Sequence, residues 1–151
     1  MHASGTFDVK LNQQAVDASG TVSRLSIEKQ FQGDLNGASK GEMLAAGTSV
    51  QGSAGYVAIE RVTAALQGRS GSFVLQHSGI MNRGAPHLIV IVVPDSGTDQ
   101  LSGISGTMVI NFDSWGTHVS VTVTECMNNM MYGFGNGTLY AISFIDAEIP
   151  G

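Results

Sequence analysis

Six ionisable residues stand inside otherwise apolar, β-rich runs: Glu28, Lys29, Glu42, Glu60, Arg61 and His77. Burying a charge is costly unless it is paired, so each needs a partner or a shifted pKa. The sharpest candidates are Glu60 and His77. A carboxylate and an imidazole side by side in an apolar space would share a proton near neutral pH, which suits general acid–base catalysis. Both are therefore candidate catalytic residues, and the site expects a Glu60 pKa raised by its apolar surroundings. Tyr56, Glu42, Gln76, Arg61 and Phe73 are the candidate ligand-binding residues beside them.

Other motifs carry less. Gly37-Ala38-Ser39-Lys40-Gly41 has the spacing of a nucleophile elbow. It lies between two β-rich runs, however, whereas that mechanism needs a strand-to-helix turn. Gly133-Phe134-Gly135-Asn136-Gly137 has neither the spacing nor the strand–helix frame of a dinucleotide site. His2, His77, His87 and His118 show no paired metal-ligand spacing, so no metal and no cofactor is expected.

The elements that must position these groups are strands. Gly, at 20 of 151 residues, breaks any helical period, and the chain reads as short β runs separated by Gly, Ser, Asp and Asn clusters. The expected strands are 4–11, 21–32, 39–48, 56–66, 72–80, 87–93, 106–113, 117–125 and 138–147. Such spacing predicts an all-β, antiparallel closed barrel of about eight strands in one domain, 1–151, with a divergent segment at 112–151. An even-numbered loop at Gly68–Gly71 gives odd pairing sums. Tyr56, Ala58, Glu60, Val62, Phe73, Leu75 and His77 then share one face. Ile27, Lys29, Glu42, Leu44, Ile59, Arg61 and Gln76 share the other, with Lys29/Glu42 and Glu60/His77 as close cross-strand pairs.

Charge limits the partners. Only 13% of residues are charged, the net charge is −5, and no Lys or Arg follows Arg83. Nothing here could neutralise a row of phosphates, which excludes nucleic acid and an anionic membrane surface. A single cysteine, Cys126, and the lack of an apolar leader lead to an expectation of a cytoplasmic protein. In Tyr56–Val62 both alternating faces carry apolar residues, so a homo-oligomer is expected.

Several long motifs resemble one family. They are Gly5–Val9, Gly52–Thr63, Gly68–Gly79 followed by Met81–Gly84, and Gly97–Gly106. In order and spacing they are similar to the small bacterial proteins grouped as domain of unknown function 3224, over residues 3 to 111. After Asn111 the likeness is expected to fade. The resemblance implies a barrel like that of allene oxide cyclases and dirigent proteins, whose lumen holds an apolar small molecule. It assigns no catalytic residue. Two functions follow as expectations: a cofactor-independent isomerase or cyclase, or a non-catalytic binder of a lipid-like or aromatic metabolite.

Overall fold

The computed structural model describes residues 2–112 and 119–125. The strands are β1 (His2–Val16), β2 (Val22–Gly33), β3 (Leu35–Gly47), β4 (Ala54–Leu66), β5 (Arg69–Asn82), β6 (Ala85–Val92), β7 (Gly106–Phe112) and β8 (Val119–Glu125). Each pairs antiparallel with the next, so β1 to β7 form one curled sheet. β8 pairs with β7 on one side and with residues 2–5 of β1 on the other. The expected all-β antiparallel architecture is what the chain adopts. The run expected at 138–147 lies outside the described residues.

Register decides which side chains point inward. Between β4 and β5 a two-residue turn, Gln67-Gly68, has φ of 48° and 83°, the left-handed pair that matches strand twist. It places Leu66 opposite Arg69 and makes every sum odd, as expected. The β2–β3 corner behaves differently. Phe31 pairs with Gly37, leaving an odd number of residues between them, so the sums are even. That change of parity turns the inner face of β2 over. Ile27 and Lys29 therefore point inward, which corrects their expected place beside Glu42 and Arg61.

The inner face is layered along the sheet's axis. At one end Phe31, Leu35, Val62, Leu66, Phe73, Leu75, Val90 and Met108 form a dry core. The β6–β7 connection closes that end. A single turn of 3-10 helix at Asp99–Leu101 drops Leu101 into the core, and Ile104 follows it. This connection runs beside the first residues of β5 where β6 has already ended. Thr98 N donates to Ser72 O at 2.9 Å, Ser72 N to Thr98 Oγ1 at 3.0 Å and Val74 N to Ser96 Oγ at 3.0 Å. Gly71 lets it lie so close, since a Cβ there would stand 2.3 Å from Thr98 O.

At the other end the inward-facing Val9, Leu11 and Met81 are about half exposed. There the lumen opens. On the outside, Leu44, Val57, Ile59, Ile80 and Ile89 are also about half exposed. No helix among the described residues is long and apolar enough to cross a membrane.

Leu101 tests the division between the two ends. Leu101→Ala is expected to cost about 2–5 kcal/mol by leaving a cavity in the closed core. Urea unfolding should show the loss, and the open end should keep its nuclear magnetic resonance shifts.

Candidate functional site

Midway along the lumen, four polar side chains from four adjacent strands meet. Glu60 on β4 has no exposed surface. Its Oε2 accepts a hydrogen bond from Lys29 Nζ of β2 at 2.7 Å, and its Oε1 accepts one from the Ser39 hydroxyl of β3. His77 Nε2 of β5 lies 3.0 Å from the same Oε2. That separation is a hydrogen bond's but the alignment is not, so Nε2 is buried in contact with the carboxylate without a well-formed bond.

Lys29 and Glu60 belong to strands that are not neighbours, and β3 lies between them. The bridge crosses because β3's inner face is small at this level. Ser39 faces Lys29, and Gly41 faces Glu60. A Cβ on Gly41 would stand 2.7 Å from Glu60 Cα, so no side chain fits there. The elbow-like run Gly37–Gly41 is thus the floor beneath an ion pair. Behind the ammonium, the ring of Phe7 lies 4.7 Å away and that of Phe31 6.0 Å. The two rings pack edge to face, 5.4 Å apart. A desolvated cation over aromatic faces is stabilised by their quadrupoles.

These neighbours reverse the expected titration of Glu60. Burial alone would raise its pKa. The His77 contact, the Lys29 charge and the hydrogen bonds from Lys29 and Ser39 together outweigh burial and hold it at about 2. Glu60 is a fixed carboxylate and not a group poised near neutral pH. Burial, with the Glu60 charge second, pushes the Tyr56 phenol up, so Tyr56 stays protonated.

Above this cluster, toward the open end, is a cavity of about 260 Å³. Phe7, Val9, Leu11, Ile27, Met43, Leu88 and Ile110 supply its apolar wall, and Lys29, Tyr56 and His77 are its polar groups. A second space of about 270 Å³ adjoins it at the mouth and shares Met43, Tyr56 and Leu88. Tyr56 stands between the two. Its ring lies flat over Gly79, its cross-strand partner, where a Cβ would come within 2.2 Å of Cε1.

The other sequence-derived candidates fall elsewhere. Phe73 faces inward but is sealed in the dry core. Glu42 lies outside and is held bidentately by Arg24, at 2.6 and 3.0 Å, instead of by Lys29. Arg61 is also outside and donates to Ser72 Oγ at 3.0 Å. Gln76 joins Glu42, Arg24, Leu44, Val57 and Ile59 around an open groove of about 690 Å³. Though larger, this groove is not lined by Lys29, Ser39 or Glu60, and of the lumen's buried polar cluster only His77 reaches it. Glu60 and His77 do share a face, diagonally: Glu60 is opposite Leu75, and His77 opposite Ala58. Lys29 and Ser39 are the residues missed. Among the described residues no three of His, Cys, Asp and Glu are grouped to hold a metal ion.

Residues 3–123 match the family model described as a protein of unknown function, DUF3224. The chain belongs to the DUF3224 family. The match takes in the expected span from residue 3 to Asn111, continues through most of β8 and ends at Val123. A solved DUF3224 structure, a protein of unknown function from Shewanella oneidensis MR-1, is 45% identical. The similarity covers 86% of this chain and 98% of that one, with a TM-score of 0.78. No curated protein matches the chain.

The titration of Glu60 has a stability signature. Its folded pKa is lowered from 4.5 to about 2, so the stabilisation is complete above pH 4.5 and is lost as pH falls through 2. Above pH 4.5 it amounts to about 3 kcal/mol. Glu60→Gln, which leaves Lys29 buried without its counter-charge, should cost roughly 3–5 kcal/mol at neutral pH. Denaturant unfolding from pH 7 to pH 2 should show the gap between the two proteins narrowing below pH 4.5.

Proposed function

We propose that this DUF3224 protein binds a small apolar molecule in the lumen of its sheet. The observation that supports this best is the cavity above the Lys29–Glu60 pair: an apolar wall with three converging polar groups is the usual form of a small-molecule site. Lys29, Tyr56 and His77 would orient the ligand, while Glu60 acts from behind by fixing Lys29 and His77. Butylbenzene is a suitable probe. Wild-type protein is expected to show saturable shifts of the Ile27 and Ile110 methyl resonances, and Leu88→Trp, which fills the space, should abolish them. Shifts that persist in a folded Leu88→Trp variant would place the binding elsewhere.

A second reading is favoured by the His77–Glu60 contact. A carboxylate beside an imidazole that lines a pocket can hold the ring in one orientation for proton transfer. On that reading the protein is a cofactor-independent isomerase or cyclase. His77, and not Glu60, carries the proton, because Glu60 is fully buried and spent on its donors.

We also infer that copies of the chain associate through the outer face of β3 to β5. Leu44, Val57 and Ile59 project there around the Arg24–Glu42 pair. The patch is apolar and its charges cancel, so a second copy can cover it despite the net charge of −5. Sedimentation at micromolar concentration should give an oligomer, and Val57→Glu should give a monomer. A monomeric wild type would refute this.

A further inference from the structure

The polar groups of the lumen are unbalanced. Lys29, Tyr56 and His77, the three that line the cavity, can all donate hydrogen bonds. Lys29 Nζ makes one hydrogen bond among the described residues, to Glu60, and carries further N–H groups. Tyr56 makes none among the described residues, and its phenol stays protonated. The nearby carboxylate does not line the cavity and is already engaged by Lys29 and Ser39, with His77 against it. The chamber therefore holds surplus donors and is short of acceptors, and a ligand that fills it has to supply the missing oxygen.

Charge narrows the class further. The Lys29 ammonium is already balanced by Glu60 at 2.7 Å. An anionic head group would add a second buried negative charge with no cation left to match it. Resting on the binding function proposed above, we infer that the ligand is an apolar compound with a neutral carbonyl, its oxygen accepting from Tyr56 and Lys29. About 260 Å³ holds on the order of ten non-hydrogen atoms, at roughly the ~30 Å³ a water takes in the liquid. The mouth space beyond Tyr56 can take a longer substituent.

Three probes of nearly equal size separate the possibilities: butylbenzene, the ketone benzylacetone and the carboxylate hydrocinnamate. Calorimetry on the full-length protein should rank benzylacetone about tenfold tighter than butylbenzene, the worth of one well-made hydrogen bond of about 1.4 kcal/mol. Its carbonyl stretch should move to lower frequency when bound. Tyr56→Phe, which removes one hydroxyl at the chamber's edge, should weaken benzylacetone about fivefold or more and leave butylbenzene unchanged. Equal affinity for butylbenzene and benzylacetone would overturn the carbonyl inference and leave the binding function standing. Tightest binding by hydrocinnamate would overturn neutrality of the ligand. If none of the three bound, the proposed function itself would fall.

Discussion

One buried ion pair sets the terms for this structure. Lys29 and Glu60 are both almost wholly removed from water, with side-chain exposures of 6% and 0%. Two isolated charges at that depth would unfold the domain, yet together, with Ser39 and His77 on the carboxylate and Phe7 under the ammonium, they are tolerated. The tolerance is conditional on register. The four groups come from β2, β3, β4 and β5, and a slip of one residue in any of these strands sends one of them to the outside. An apolar substitute would be at least as stable and far less exacting about alignment. The pair thus ties the energetics of folding to one arrangement of the strands, which is the arrangement that lines the cavity with Lys29, Tyr56 and His77.

The polar layer also divides the lumen. On one side of it, side chains of ordinary size fill the space: Phe31, Phe73, Leu66 and Leu101 are all essentially inaccessible. On the other side the same inward positions carry Ala58, Gly79 and Ala54, too small to meet across the interior, and the space stays open. A strand such as β4 therefore reads as a gradient. It runs from Leu66, Ala64 and Val62 in the core, through Glu60, to Ala58 and Tyr56 at the cavity.

Much of this was legible in the chain, for reasons that can be named. The strands were marked by clusters of Gly, Ser, Asn and Asp, and the shared face of Tyr56, Glu60, Val62, Phe73 and His77 followed from a two-residue turn whose chemistry is local. Lys29 was misplaced because its corner is not local. Asp34 is held there from two directions, its amide donating to Ser4 O and its carboxylate accepting from Ser4 N, both at 2.9 Å, while its carbonyl accepts from Gln67 N at 2.7 Å. Partners some thirty residues away on either side settle how many residues the corner contains. No reading of Gly33–Gly37 alone contains that information. The raised pKa expected for Glu60 failed for the same reason, since the cation that lowers it was assigned to the wrong face.

The separation of the two ends has a bearing on how such a domain can change over generations. Stability is lodged where the β6–β7 connection plugs the sheet, through Leu101, Ile104 and the residues they touch. Leu11, Met43 and Tyr56, which shape the cavity, stand apart from that plug and are not fully buried. Substitutions among them act on partly solvated positions, where the cost to folding is small. A protein built this way can explore new occupants without first acquiring spare stability, because the residues that select a ligand and those that keep the chain folded are largely different residues. Phe7, Ile27 and the Lys29–Glu60 layer belong to both sets, and they are where drift would be least tolerated.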